Sequence, residues 1–372
     1  MKHNITLVML ALAMMACGSK SQEAAPECLT GTQSLIDKLS KLQSADGFAF
    51  GHHDDTAYGF EWEYLPDSSD VKAVTGDYPA IINWDLGQIE LGTAEQLDGV
   101  PFVFIKDEAK KQALRGGINS FSWHPRNPVT GGDSWDIAGG EVVRRAITDG
   151  DSINGVVRTW IASAADFIGS LKYDDGSRIP VIFRPWHEHT GDWFWWGRSH
   201  CDSCDYVALW HLTRQIFDQK GIDNVVWAYS PDKTGSETRE QYMERYPGDE
   251  YVDIFGADIY HYGGEGGIDD FFNRVSATLG FAVAMAAEKG KIAALTETGC
   301  EAIDVPDWYT RVLFQAVKDY PIAYVTVWRN ANKNKKDKHF YVPYPGHPAE
   351  ADFVKFYQMP QTIFLADLKD VK

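Results

Sequence analysis

Eight short apolar runs divide the chain, and each is followed by a polar loop and then by a stretch in which apolar residues recur at helical spacing. Most of the runs are continuously apolar rather than alternating, which is typical of parallel strands covered by helices. The predicted strands cover residues 48–52, 80–84, 118–123, 180–184, 225–229, 252–259, 292–296 and 324–328. The clearest predicted helices cover residues 30–44, 94–112, 152–171, 206–220, 269–289, 307–318 and 350–364.

Eight strands that alternate with helices predict an α/β fold, a single (β/α)8 TIM barrel formed by residues 30–372. A doubly wound open sheet is the main alternative. Such a sheet is expected to have a glycine-rich phosphate turn after its first strand, and the segment from Gly51 to Asp54 is not one. The barrel predicts an active site at the C-terminal ends of the strands.

The first 16 residues have the pattern of a signal peptide, with an apolar run at 5–16 that is too short to span a membrane. Cys17 follows a small residue, as in bacterial lipoprotein signals, so we expect a lipid at Cys17 and a tether over residues 17–29. Signal cleavage without lipidation is the alternative. The expected location is the cell envelope, with membrane contact only through the lipid anchor.

Composition narrows the classes of partner. The net charge of −18 at pH 7 disfavours nucleic acid and anionic membranes and suits a neutral substrate. The chain has 13 Trp, and several stand near strand ends, where core packing alone would not place them. Four further cysteines are expected to form a small structural disulfide or to remain free thiols. They are Cys28, Cys201, Cys204 and Cys300.

Chemically active side chains follow the predicted strands at their C-terminal ends. They are Asp85, His124, Arg184, His187, Glu188, Asp258, Tyr260, Glu297, Trp328 and Arg329. Glu188 follows the fourth strand and Glu297 the seventh, so a barrel places them across its mouth from each other. Hydrolysis of a glycosidic bond needs two such carboxyl groups: one protonates the leaving oxygen, and the other attacks the sugar or activates water. The alternative is that one of them is only an ion-pair partner of Arg184.

Two other chemistries were weighed against this one. A metal site would draw on His52, His53, His124, His187 and His189, but these lie on three separate strand ends and lack the paired spacing of a zinc-binding helix. The sequence also has no Gly-x-Ser-x-Gly elbow for a serine nucleophile. We therefore expect neither a metal nor a cofactor.

The segment from Arg184 to Gly197, Arg-Pro-Trp-His-Glu-His-Thr-Gly-Asp-Trp-Phe-Trp-Trp-Gly, and the segment Thr296-Glu297-Thr298-Gly299 resemble glycoside hydrolase family 26, whose typical members are β-mannanases. The resemblance extends from about residue 45 to about residue 330. It implies a retaining mechanism, with Glu188 as acid/base and Glu297 as nucleophile. His189 and Thr190 stand where many members have Met and Asn.

Carried over residue by residue, the resemblance implies a set of substrate contacts. His124, Arg184, His187, Trp193, Tyr260 and Trp328 are expected around the reacting sugar, with Asp253 and Arg329 as weaker assignments and with Asp85, Glu90 and Trp135 at more distant subsites. The implied activity is that of a mannan endo-1,4-β-mannosidase acting on β-mannan or manno-oligosaccharides. The alternatives are release of mannobiose from chain ends, cleavage of β-1,3-xylan or mixed-linkage β-glucan, and a non-catalytic glycan-binding lipoprotein.

Overall fold

The computed structural model describes residues 28–330 and 339–371. The predicted signal peptide, Cys17 and nearly all of the predicted tether lie outside the described residues. Across these two ranges, no helix is both long enough and apolar enough to cross a membrane. Cys28, Cys201, Cys204 and Cys300 are free thiols.

Eight parallel strands form a closed barrel, which confirms the predicted fold. The eighth strand pairs with both the seventh and the first, and this pairing closes the sheet. Each predicted run overlaps one barrel strand, but the sixth and seventh strands continue past their predicted ends, to His261 and Cys300. The strands are buried along almost their whole length. Their bounds are Phe48–His53, Ile81–Asp85, Ile118–Ser122, Val181–Arg184, Val225–Tyr229, Ile254–His261, Ile292–Cys300 and Tyr324–Val327.

Helices cover the outside of the barrel. The α-helices are Gly31–Ser44, Asp70–Thr75, Phe102–Leu114, Val142–Ile147, Ser152–Gly169, Ser203–Gln219, Arg239–Met243, Ile268–Arg274, Gly280–Lys289, Phe314–Val317 and Glu350–Tyr357. Two predicted helices contain a π-helical segment each, Val275–Leu279 and Trp308–Leu313. Short 3-10 helices are Ile89–Leu91, Gly264–Gly267, Glu301–Ile303 and Leu365–Asp370.

Two predicted helix boundaries were wrong, each near a proline. The helix predicted over 94–112 begins only at Phe102, because Pro101 occupies the position before it and Glu95 and Pro101 form an antiparallel bridge. The helix predicted over 350–364 ends at Tyr357, shortly before Pro360. Proline has no N–H to donate to the helix, and the chain instead continues into the short strand Thr362–Ile363, which pairs with the first barrel strand.

The helix Gly31–Ser44 closes the N-terminal end of the barrel. Leu35, Leu39 and Leu42 are completely buried and share one core cluster with residues near the beginnings of the strands, such as Ile81 and Ile118. The spacing of these leucines puts them on one face of the helix. Because this end is filled, the open end of the barrel is the one at which the strands finish.

Candidate active site

The register of the sheet places polar side chains in rows at the C-terminal end of the barrel. Asp85 is the register partner of Ser122, which is the partner of Arg184. Asp258 is the partner of Glu297 on the other side of the barrel. All five side chains are buried. Three strand pairings therefore bring one cation and three carboxylates to the same mouth.

Arg184 connects the two sides. Its Nη1 donates to Asp258 Oδ2 at 2.6 Å, and its Nη2 forms an ion pair with Glu297 Oε2. Burial alone would lower the pKa of Arg184, but the charges of Asp258 and Glu297 outweigh burial and raise it. The ion pair between Arg184 and one of the two glutamates, which the sequence left open as an alternative, is thus present for Glu297. The single positive charge of Arg184 is shared by two buried acids, Asp258 and Glu297.

Glu297 accepts a hydrogen bond on each oxygen. The hydroxyl of Tyr260 donates to Oε1 at 2.7 Å, and Arg184 donates to Oε2. Two donors and no nearby acceptor are the surroundings of an ionised carboxylate. Burial, followed by the charge of Glu297, raises the pKa of Tyr260 well above its ordinary value, so the phenol keeps its proton as a donor.

Glu188 has the opposite surroundings. Its Oε2 accepts one bond, from Trp193 Nε1 at 2.7 Å, and no cation among the described residues forms an ion pair with it. Burial raises the pKa of Glu188 well above its ordinary value, and the charges of Glu297 and Asp232 add to the increase. The surroundings of Glu188 therefore favour its protonated form, whereas the two donors around Glu297 favour a negative charge there.

The turn that presents Glu188 is strained. Trp186 and Glu188 have φ angles of 52° and 53°, a region that L-residues with large side chains rarely adopt. The backbone N–H of Glu188 donates to Ser230 O at 2.8 Å, and Trp196 Nε1 donates to the carbonyl of His187 at 2.9 Å. These bonds hold the turn on both sides of the carboxyl group.

A chain of buried groups leads from Asp85 to His187. Asp85 Oδ2 lies 2.6 Å from His124 Nδ1, and His124 Nε2 lies 3.0 Å from His187 Nε2. The sequence interpretation treated Asp85 as part of a distant subsite. The structure instead places Asp85 in contact with His124, whose two ring nitrogens face Asp85 and His187.

Aromatic rings surround this chain. Trp328 stacks at a tilt on His53, with ring centroids 4.3 Å apart, and its edge approaches His124 at 6.1 Å. Trp135 lies nearly parallel to His124 at 5.5 Å and is 51% exposed. Trp135, predicted at a distant subsite, is therefore an exposed ring directly beside the central histidine.

The Trp-rich loop contributes only one indole to the carboxyl groups. Trp193 bonds to Glu188, whereas Trp186, Trp195 and Trp196 are fully buried and pack against one another. Sequence reasoning did not identify Arg245, which is buried and donates to the carbonyls of His189, Trp196, Arg198 and Cys201. It crosses to this loop from a segment 49 residues beyond Trp196, so no local pattern indicates it.

Asp253 was assigned wrongly. It precedes the sixth strand, at the end of the barrel away from the mouth, and its Oδ2 accepts from the backbone N–H of Trp227 at 2.8 Å. The assignment rested on a short segment shared with the family, Asp-x-x-Gly-x-Asp-x-Tyr over residues 253–260. The acid of this motif that lies in the site is the second one, Asp258, which accepts from Ser230, Thr296 and Arg184.

Arg329 and Glu90 have protein partners. Arg329 is buried and pairs with Asp98 at 2.7 Å, and Glu90 accepts from Trp123 Nε1 and from the backbone N–H of Arg126.

The five histidines considered as metal ligands do not converge on one point, although His124 and His187 contact each other. His52 pairs with Asp55, and His189 lies between the rings of Tyr206 and Tyr229. In the part of the chain that the structure describes, no group of three or more His, Cys, Asp or Glu side chains has the arrangement of a metal site.

A small hairpin rises beside the mouth. Its strands are Tyr58–Gly59 and Trp62–Glu63. Asp70 accepts from Trp62 Nε1 at 2.7 Å, from the backbone N–H of Phe60 at 2.8 Å and from Asn330 Nδ2 at 2.7 Å. Asn330 follows the eighth strand, so the hairpin is attached to the loop next to Trp328.

A closed barrel whose mouth contains two buried carboxyl groups in opposite surroundings, one with its pKa raised by burial and one bonded to an arginine and a tyrosine, has the elements of a glycosidase active site. Comparison with known proteins assigns the family. Residues 24–343 match the model of Glycosyl hydrolase family 26, and the chain belongs to that family.

Two of its relatives are mannan endo-1,4-β-mannosidases. That of Bifidobacterium adolescentis is 29% identical over 87% of this chain, which spans only 34% of that protein. That of Bacillus subtilis is 28% identical over 70% of this chain and 73% of the relative. The chain thus spans about a third of the length of the first relative and about three quarters of that of the second.

Solved structures agree. A family 26 β-mannanase from Bacteroides ovatus has a TM-score of 0.86 and 44% identity, covering 90% of this chain and 95% of the other. A modular endo-β-1,4-mannanase from Cellulomonas fimi has a TM-score of 0.81 and 31% identity, covering 91% and 76%.

Proposed function

We propose that the protein hydrolyses β-1,4-mannosidic bonds in mannan-type polysaccharides with retention of configuration, with Glu188 as acid/base and Glu297 as nucleophile. The observation that carries the proposal is the contrast between the two carboxyl groups. Burial and neighbouring negative charge keep the proton on Glu188, whose pKa is raised, whereas Arg184 and Tyr260 donate to Glu297.

The reaction follows from this contrast in two steps. Glu188 gives its proton to the glycosidic oxygen as an oxygen of Glu297 attacks the anomeric carbon, so the bond to the leaving sugar breaks and a glycosyl ester forms. The ionised Glu188 then takes a proton from water, which attacks the same carbon and frees Glu297. Trp328 and Trp135 offer aromatic faces to the C–H groups of the bound pyranose.

The choice of mannan is supported by relatives such as the mannan endo-1,4-β-mannosidases of Bifidobacterium adolescentis and Bacillus subtilis. The test is the production of oligosaccharides from linear mannan, with β-1,3-xylan and mixed-linkage glucan alongside. Glu297→Ala is expected to abolish hydrolysis and to leave polysaccharide binding largely intact. Unchanged hydrolysis would remove Glu297 from the mechanism, and product from another polysaccharide alone would change the substrate.

Release of mannobiose from chain ends is a second candidate, and the hairpin favours it. Phe60 at its tip stacks on Tyr344 with ring centroids 3.5 Å apart, and Tyr64 donates to the carbonyl of Gly99. These contacts attach the hairpin to two different loops, those that contain Tyr344 and Gly99, so that it would form a barrier next to Trp328. A barrier at this place would limit the number of sugars that fit beyond the cleavage point. Mannobiose as the first product, rather than a ladder of oligosaccharides, is the expected sign.

We also propose that the protein is exported and anchored by a lipid on Cys17. Support comes from the basic start, the apolar run and the small residue before Cys17. Radiolabelled fatty acid is expected in the full-length protein and not in Cys17→Ala. Labelling that does not depend on Cys17 would refute the anchor.

A further inference from the structure

Asp85 is surrounded by donors. Its Oδ2 accepts from Ser122 Oγ and faces His124 Nδ1, both at 2.6 Å, and its Oδ1 accepts from the backbone N–H of Gly87 at 2.6 Å. Burial acts to raise the pKa of Asp85, but the hydrogen bonds that it accepts from His124 and Ser122 act in the opposite direction, and the pKa lies below its ordinary value. An ionised carboxylate can only accept, so Nδ1 of His124 must hold a proton.

The position of that proton determines the rest of the chain. In a neutral imidazole with its proton on Nδ1, Nε2 is an acceptor. His124 Nε2 then accepts from His187 Nε2, 3.0 Å away, and the proton of His187 is fixed on Nε2. Burial, with Arg184 next, lowers the pKa of His187 well below its ordinary value, so His187 is neutral as this arrangement requires. One carboxylate thus sets the tautomers of two histidines.

His187 is the middle residue of the strained turn between Trp186 and Glu188. A backbone held at positive φ on both sides persists only when its surroundings fix it. The backbone carbonyl of His187 accepts a hydrogen bond from Trp196 Nε1. The imidazole ring of His187 contacts His124 through Nε2, and its Nδ1 has no hydrogen-bond partner among the described residues. The orientation of the ring, and with it the geometry of the turn, therefore depends on His124 accepting at Nε2.

We propose that Asp85 is a positioning residue that aims Glu188 at the glycosidic oxygen through His124 and His187. The inference rests on the proposed role of Glu188 as acid/base. In Asp85→Asn, the side-chain amide can donate to His124 Nδ1 and so place the proton on Nε2, where it opposes the N–H of His187. The turn then loses its support on one side, and proton delivery is impaired.

The test compares leaving groups. Manno-oligosaccharides need a proton on the departing oxygen, whereas a 2,4-dinitrophenyl β-mannobioside does not, and kcat/KM reports the step in which the leaving group departs. Asp85→Asn is expected to lower kcat/KM for mannotetraose about 10- to 100-fold, the usual effect of removing a partner that orients an active-site histidine. Its kcat/KM for the dinitrophenyl substrate is expected to stay near wild type. Asp352→Asn is the matched control, since Asp352 is a buried acid that bonds to Thr310 on the outside of the barrel, and it is expected to change neither value.

Equal losses on both substrates, or no loss on either, would overturn the role of Asp85. Glu188→Ala tests the proposed function separately. If Glu188 is the acid, this variant loses more kcat/KM on mannotetraose than Asp85→Asn does and little on the dinitrophenyl substrate. If the two substrates are affected equally, Glu188 is not the acid. A measurement on the unsubstituted protein covers the case in which Asp85→Asn does not fold. Nitrogen-15 NMR of labelled histidine is expected to show His124 with its proton on Nδ1 and His187 with its proton on Nε2, and a proton on Nε2 of neutral His124 would refute the proposal.

Discussion

Trp193→Phe should shift the pH range in which the protein works. Trp193 donates an indole hydrogen bond of 2.7 Å to Glu188, and this bond favours the ionised form, so it opposes the increase in the pKa of Glu188 that burial causes. Both forms of the carboxyl group can accept this bond, so only the difference between a charged and a neutral hydrogen bond, about 1–1.5 kcal/mol, favours the ionised form. At about 1.36 kcal/mol for each pKa unit, the loss of the bond is expected to raise the pKa of Glu188 and to move the pH profile by about one unit.

The sign of the effect is specific. Glu188 must be protonated to act as acid, so the alkaline limb of kcat/KM against pH is expected to move upward in Trp193→Phe. The assay is hydrolysis of a soluble manno-oligosaccharide over the pH range in which the protein stays folded. Trp195→Phe is the matched control, because Trp195 lies in the same loop and loses a bond to the carbonyl of Pro125 instead. A limb that stays in place in Trp193→Phe, or moves to lower pH, would refute the reasoning.

Two further substitutions test the surroundings of the site. Arg184→Met leaves Asp258 and Glu297 as buried acids without a cation, so the free energy of unfolding measured with urea is expected to fall by about 3–5 kcal/mol. A loss under about 1 kcal/mol, as expected for a more exposed pair such as Arg178 and Asp223, would contradict the account. Asn330→Ala removes the hydrogen bond from the loop after the eighth strand to Asp70, which holds the hairpin. The early products from mannan are then expected to include longer oligosaccharides, and an unchanged fraction of mannobiose would mean that the hairpin does not limit the cleft.

The sequence predicted the barrel because each strand is a continuous apolar run. Most strand ends were predicted to within one residue because polar and aromatic residues interrupt those runs abruptly, but the sixth and seventh strands continue past their predicted ends. Two helix boundaries were wrong because apolar spacing continues through a proline: Pro101 directly precedes one helix, and Pro360 follows shortly after the end of another. The two π-helical segments leave no distinct spacing in the apolar pattern.

The position of a side chain at the barrel mouth was predictable where a motif or a strand end marks it, as for Glu188 and Glu297. Asp253 was misassigned because the motif contains two acids and the sixth strand begins between them, so only the register distinguishes them from each other. The role of Asp85 depends on a contact with His124, 39 residues away, and that of Arg245 on carbonyls in a distant loop. Contacts of this kind are properties of the folded chain and have no local signal.

The configuration of the first product tests the central claim most directly. Proton NMR of a manno-oligosaccharide digest, recorded before the anomers equilibrate, distinguishes the two outcomes. Attack by Glu297 followed by water inverts the anomeric carbon twice, so the new reducing end is expected to appear first as the β-anomer. First appearance of the α-anomer would mean a single displacement by water and would contradict Glu297 as the nucleophile.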